Sequence, residues 1–360
     1  MISEYEYILR GSTQPCLSVD EILRLIACEL VASRGRKTAV ALACCCKSFE
    51  DPALDALWGE WQMRLLPLLK TLPGDVWNQD GYNSFKRLPT KPEWARFRKY
   101  ARRIRRLYEY INRSSLPLQV LSVLRFRVFG EPLFPNLETL LLFSATGEFI
   151  PFIPLFLSPG TTLINFTFST PDLPKAVVAS MITTLPTLCP NLQNIGLHSL
   201  PRDPIITAAV SELLLTTNRN TLRSFNANSP LTEDAREVIY GLPDLCELRV
   251  VIVGSTSLPT VVLPNLTRID VEFSHGHDWL QGFRGASLGK LASVTFRSES
   301  NSIGNFLETF ESVTLTTSAS ATLSTFTFYT SRPWRPNYRS LLPFTQLEEL
   351  VIEFSCERGC

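Results

Sequence analysis

Nine times between Leu137 and Ile352 the chain repeats one pattern: a large apolar residue, two residues, an apolar residue, one residue, then an apolar or small residue. The clearest copies are Leu137/Leu140/Leu142, Leu192/Ile195/Leu197, Leu245/Leu248/Val250, Leu266/Ile269/Val271 and Leu347/Leu350/Ile352. Looser copies are Leu163/Phe166/Phe168, Leu222/Phe225/Ala227, Leu291/Val294/Phe296 and Leu323/Phe326/Phe328. Successive first leucines lie 26, 29, 30, 23, 21, 25, 32 and 24 residues apart. Recurrence on that scale means stacked supersecondary units, because one such unit cannot bury its apolar face alone. A stack of this kind presents an extended surface rather than a pocket, so binding outranks catalysis.

Composition narrows the class further. Hydrophobic residues make up 45% and charged residues 19%, an ordinary globular balance. Thirty-five basic residues face thirty-four acidic ones. No global field therefore draws in nucleic acid or a membrane, and neither is expected as a partner. Met1 to Cys16 carries Glu4, Glu6 and Arg10 with no apolar core, which reads as no secretory signal. The longest charge-free apolar stretch, Phe149 to Leu157, is broken by two prolines and is too short to span a bilayer. The expectation is a soluble chain in the cytoplasm or nucleus, with its nine cysteines reduced and packed as small hydrophobes.

Residues 15 to 62 read as three short helices behind a tail at 1 to 14. Ser18 and Glu21 are spaced as a capping box at the first helix, with Leu17 and Ile22 placed to staple it. Apolar positions follow at Ile22, Leu23, Leu25, Ile26 and Leu30, until Gly35 and its basic neighbours end the run. A second helix is predicted over Ala39 to Lys47. A third opens at Asp51-Pro52, with Leu54, Leu57, Trp58 and Trp61 on one face. So small a module cannot bury this much apolar surface by itself, so part of it is expected to meet a partner.

Leu17 to Ile26 and the block Ala41-Leu42-Ala43-Cys44-Cys45-Cys46-Lys47-Ser48-Phe49 resemble the F-box. The continuation Asp51 to Trp58 is similar to the variant widespread in mushroom-forming fungi, whose members run on into irregular leucine-rich repeats. One departure is Ser18, where the family usually has proline. The resemblance implies a non-catalytic substrate-recognition subunit of a cullin–RING ubiquitin ligase. It would bind a Skp-type adaptor, and through it a cullin, using Leu17, Ile22, Leu23, Ile26, Leu42 and Phe49. An unidentified protein substrate would bind the repeats. The other reading is a repeat scaffold with no ubiquitin chemistry, its N-terminal helices serving only as a cap.

Residues 63 to 115 read as a linker and cap. Trp94, Phe97, Ala101, Ile104, Tyr108 and Ile111 predict a single amphipathic helix. Its other face carries Arg96, Arg98, Lys99, Arg102, Arg103, Arg105 and Arg106, which reads as the solvated outer face of a helix capping the array, with a patch for nucleic acid or acidic lipid as the alternative.

Residues 116 to 360 form the repeat array, an α/β solenoid whose curved parallel sheet has helices outside. Helices are predicted from Asp203-Pro204, from Thr232 to Gly241, and over Ile303 to Phe310. Pro135-Asn136, Pro190-Asn191 and Pro264-Asn265 punctuate the return to a strand. The end of the sequence straight after the last strand leaves that repeat without a cap, which reads as truncation.

Side chains between the inward apolar positions point out on the concave face. In the first four repeats they are small or neutral. They then become Glu247, Arg249, Arg268, Asp270, Glu272, Arg297, Tyr329 and Glu349, the expected target-binding residues. His275 and His277 lack further ligands at zinc spacing, and no catalytic motif is present, so neither metal, cofactor nor enzymatic activity is expected.

Overall fold

The computed structural model describes residues 19–33, 35–60, 63–78, 81–111, 118–127, 131–169, 173–218, 220–252, 263–273, 288–298, 310–311, 321–330 and 338–354. Among the described residues the chain is α/β, with ten strands in one sheet whose order follows the sequence. It divides into two compact units, 1–141 with 155–161, and 142–154 with 162–360.

The first unit opens with α1 (Asp20–Ala32), α2 (Arg36–Cys45) and α3 (Lys47–Asp55). The helix start differs from the expected capping box. The N-cap is Val19, whose carbonyl accepts the Ile22 and Leu23 N–H groups at 3.1 and 3.2 Å, and Ser18 lies outside the described residues. Asp20 and Glu21 still place negative charge where the helix dipole favours it. Gly35 closes the helix by donating to the Leu30 carbonyl at 2.8 Å. A Cβ at Gly35 would stand 2.8 Å from that same oxygen, so only glycine fits the approach.

Two further expectations need correction. The predicted second helix, Ala39 to Lys47, ends early because Cys46 is extended, at φ −160° and ψ 165°. The third helix starts from Cys46 rather than Asp51, so Pro52 sits inside it. A proline there has no N–H for the carbonyl four residues back. The helix then widens into a π turn over Ala56–Glu60. Freed from capping, Asp51 turns its carboxylate to Arg103.

The core of the helical module is small: Ala27, Val31, Ala39, Ala53 and Ala56, flanked by Leu30, Leu42 and Leu57. Cys44, Cys45 and Cys46 are exposed rather than packed inside, since the buried side of α2 is its Ala39 face. No disulfide joins any of the six described cysteines.

After α4 (Leu65–Leu69), α5 (Lys91–Ala101) is the front half of the predicted amphipathic helix. Its N-terminus is held by Glu93, which accepts from the Thr90 N–H at 2.7 Å and from Arg87 at 2.8 and 2.9 Å. Those donors hold the Glu93 carboxyl down at about 2, Arg87 contributing most. The back half is not helical. Arg106–Tyr110 form β1, with Leu107, Glu109 and Ile111 buried at every second position. Backbone pairing with Met63 holds the strand: Met63 N–H donates to the Arg106 carbonyl at 2.9 Å and Tyr108 N–H to the Met63 carbonyl at 2.8 Å, while the Glu109 carboxylate accepts the Leu65 N–H at 2.9 Å in the interior. Burial pushes its pKa up, against the pull of that donor. The basic face is also only partly solvated. Arg103 pairs with Asp51 and Asp55, Lys99 meets Glu50 at 3.0 Å, and Tyr100 packs on Trp58 with ring centres 5.0 Å apart. The unit continues through α6 (Leu118–Arg127) into β2 (Thr139–Ala145).

In the second unit β3 (Leu163–Phe168), α7 (Lys175–Leu188), β4 (Asn194–His198), α8 (Pro204–Thr216), β5 (Ser224–Pro230) and α9 (Glu233–Tyr240) alternate. β6 (Glu247–Ile252), β7 (Arg268–Phe273), β8 (Ser293–Ser298), β9 (Thr325–Thr330) and β10 (Glu349–Phe354) complete the sheet. Every one of the nine sequence repeats therefore ends in a strand. α8 begins where Asp203 was read as its start, and the Asp203 carboxylate accepts the Ile205 N–H at 3.0 Å. α9 is bounded by Thr232 as N-cap and Gly241 as C-cap, as expected. Of the helix predicted over Ile303 to Phe310, only Phe310 lies among the described residues, where it is helical.

Neighbouring repeats are joined by a backbone ladder at one repeat position. Arg223 N donates to Gln193 O at 2.8 Å, Cys246 N to Arg223 O at 2.7 Å and Thr267 N to Cys246 O at 2.8 Å. The series continues through Ala292, Ser324 and Glu348. The Pro-Asn punctuation has a physical role here, because Asn265 donates its side-chain amide to the Pro243 carbonyl at 2.9 Å, bridging adjacent turns.

Replacing Gly35 by Ala is expected to lower stability by at least about 1 kcal/mol, since the new methyl meets a backbone oxygen. Urea denaturation of the two proteins tests this, and an unchanged midpoint contradicts it.

Candidate functional site

Two surfaces carry the candidate residues. On the helical module, α1 buries Leu23, Ala27 and Val31 at intervals of four, so this seam faces inward. Leu23, at 3% exposure, is thus part of the interior, and Leu42 packs on the module core. Ile22 and Phe49 are half-buried, and Ile26 is exposed. Leu17 lies outside the described residues. The surplus apolar surface expected from the sequence sits elsewhere in part: Leu25 is 71% exposed and Val40 51%. Helical periodicity alone did not single out either residue.

The second surface is the outward side of the sheet in the second unit. Burial alternates along β3 and β8, with every second residue facing out. Because the strands pair parallel and in register from β6 to β9, outward side chains line up in rows. One row reads Arg249, Asp270, Thr295, Thr327 and a second Glu272, Arg297, Tyr329. A third reads Glu247, Arg268, Ser293, Thr325, Glu349.

The structure connects four of the predicted residues and gives a fifth, Glu272, a partner outside the set. Asp270, with a side chain only 16% exposed, receives Arg297 at 3.2 Å and Arg249 at 3.5 Å. The Arg297 guanidinium lies 4.5 Å above the Tyr329 ring. Glu272 pairs with Arg202, which reaches it from the turn between β4 and α8. Glu247, Arg268 and Glu349 stand apart from this network. Glu247 accepts from Ser224 at 3.2 Å, and no ion pair joins Arg268 or Glu349 to another described residue. Such half-exposed pairs add only about 0–1 kcal/mol each to stability. Their chemical value is a fixed pattern of alternating charge around an aromatic ring, which suits selection of a protein partner.

Beside the charged rows lies a polar recess the sequence did not reveal. Gly196 pairs in register with Asn165 on one side and Asn226 on the other. A Cβ at Gly196 would meet Asn165 Cγ at 3.0 Å and His198 Nε2 at 3.2 Å. The Oδ1 atoms of Asn165 and Asn226 are shielded from solvent and have no donor among the described residues. His198 is held below its ordinary pKa, first by burial and then by the positive charge of Arg249. No sequence signal connects Gly196 with Asn165 or Asn226, since strand register alone brings them together.

Among the described residues no cluster of three His, Cys, Asp or Glu is placed to hold a metal. No helix there is long and apolar enough to cross a membrane. His275 and His277 lie outside the described residues. The fold and surfaces define an α/β repeat array preceded by a small helical module. No known protein-family model and no curated protein matches the sequence.

Two outcomes are expected. Replacing Asp270 by Ala leaves Arg249 and Arg297 side by side without their shared anion. It should cost about 1 kcal/mol or less in urea denaturation, as for surface pairs. For His198 the lowered pKa means that the folded state favours the neutral ring. That stability is present above the ordinary value of 6.5 and is lost as pH falls below it. His198→Gln should therefore reduce the drop in melting temperature between neutral and mildly acidic buffer, and an identical drop in both proteins would refute the assignment.

Proposed function

We propose that the chain is a non-catalytic, intracellular substrate-recognition subunit of a cullin–RING ubiquitin ligase. α1 to α3 dock on a Skp-type adaptor, and the outward face of the repeat sheet holds the target protein. The observation carrying this reading is the division of apolar residues on the helical module. Leu23, Ala27 and Val31 serve its interior, while Leu25, Ile26 and Val40 remain on its surface. A module that only capped the array would have no need of exposed Leu and Ile side by side on one helix. The F-box resemblance of residues 17 to 58 supports a Skp-type adaptor, and the leucine-rich pattern of the repeats supports the receptor role. The Arg249–Asp270–Arg297–Tyr329 set supplies the pattern for target selection.

Co-purification with a recombinant Skp-type adaptor tests the first half. The double variant Leu25→Asp with Ile26→Asp should lose adaptor capture while the circular dichroism of the folded chain is retained, because both side chains lie outside the buried seam. Adaptor capture by the double variant at the wild-type level would rule out this docking face. Absence of capture by the wild-type chain would favour a repeat scaffold without a ligase role.

For the second half, Arg249→Ala, Arg268→Ala and Tyr329→Ala should each weaken binding of an identified target by roughly tenfold, the range expected of interface hot spots. Melting temperatures should change little. Wild-type affinity in all three variants would place the target elsewhere.

A further inference from the structure

Within the first unit, outside both surfaces just described, α5 and the end of α6 wall a cleft of about 1070 Å³. Its charge is one-sided. Lys91, Arg98, Lys99, Arg102, Arg103 and Arg127 line it against only Asp55 and Glu131. Three of these cations are engaged: Lys99 with Glu50, Arg103 with Asp51 and Asp55, and Arg98 with Glu131 at 3.8 Å. Among the described residues, Lys91, Arg102 and Arg127 have no ion-pair partner. All three are exposed at the cleft.

The cleft is not a purely electrostatic surface. Phe97 and Leu133 are buried along it, and Trp94 and Pro132 are half-buried. Trp94 packs edge-on to Phe97 with ring centres 5.4 Å apart. The indole N–H of Trp94 has no acceptor among the described residues. Unpaired cations, an aromatic donor without an acceptor and an apolar wall therefore share one concavity.

We propose that this cleft binds an acidic peptide segment of a protein partner, with one apolar side chain seated against Trp94, Pro132 and Leu133. Charge complementarity sets the sign of the ligand: three unneutralised cations call for carboxylates, and salt should weaken the contact. The apolar wall sets its kind. A nucleic-acid backbone is recognised by a basic stripe that tracks successive phosphates, and its affinity comes from displaced counterions. An apolar wall contributes nothing to that. An acidic peptide carrying a Leu or a similar side chain uses both features, and the volume lies at the upper end of ordinary ligand clefts, room for a few residues. The site is independent of adaptor docking, since Leu25, Ile26 and Val40 do not line it.

The test uses the full chain and fluorescence anisotropy of a fluorescein-labelled peptide of alternating Glu and Leu. Binding is expected, weakening as salt is raised. A second peptide with Ser in place of Leu, at equal charge, should bind several-fold more weakly. The variant R102E/R127E should reduce affinity for the Glu–Leu peptide by at least about tenfold, reversing two attractive charges at exposed positions. The neutral variant R102Q/R127Q should fall between, and its smaller charge change provides the reading if the reversed variant does not fold. Wild-type affinity in a folded R102Q/R127Q protein would overturn the proposal. So would equal binding of the Glu–Leu and Glu–Ser peptides, or tighter binding of a single-stranded DNA of the same charge.

Discussion

The parallel hydrogen-bond ladder between successive repeats is the constraint on which the second unit rests. Each repeat donates the N–H after its first leucine position to the same position of the repeat before, through Arg223, Cys246, Thr267, Ala292, Ser324 and Glu348. That repetition fixes register, and register fixes which face each side chain occupies. A slip of one residue at β7 would turn Ile269, Val271 and Phe273 outward and bury Arg268, Asp270 and Glu272. Burying three charges is prohibitive, so the alternation of apolar and charged residues enforces the ladder that displays it. The core repays the order with aromatic contacts: Phe310 stands 5.4 Å from Phe296, 5.2 Å from Phe326 and 5.5 Å from Phe344.

A different logic holds the first unit. The module formed by α1, α2 and α3 has a core made chiefly of alanines, too little apolar volume for much independent stability. Ion pairs add a small contribution to it. Arg24 bridges Asp20 and Asp55, and Arg103 reaches Asp51 and Asp55 from the end of α5. These contacts leave Leu25 and Ile26 exposed on the outward side of α1. The same contacts take up part of the basic face of α5, and the cations left over open onto the cleft.

Where sequence reading and structure part, the cause is a contact distant in sequence. Leu107, Glu109 and Ile111 fit a strand, whereas Ile104, Tyr108 and Ile111 fit a helix, and both patterns are present in the same residues. Met63, more than forty positions away, favours the strand by exchanging backbone hydrogen bonds with Arg106 and Tyr108. Asp51-Pro52 fits a helix start, since a first-turn proline costs nothing, yet Asp51 pairs with Arg103 and the helix begins earlier.

The sequence by itself determined the nine-fold strand pattern, the starts of α8 and α9, and the change from small to charged residues along the outward face. All of these are local, since side-chain alternation, capping and repeat spacing act over a few residues. Tertiary structure alone decided that Asp270 serves two arginines, that Arg202 meets Glu272 seventy residues away, and that Gly196 lies between Asn165 and Asn226. It also decided that Leu23 belongs to the interior while Leu25 faces out. These outcomes depend on strand register and helix rotation, which are set by contacts between segments far apart in the chain, and no local pattern encodes them.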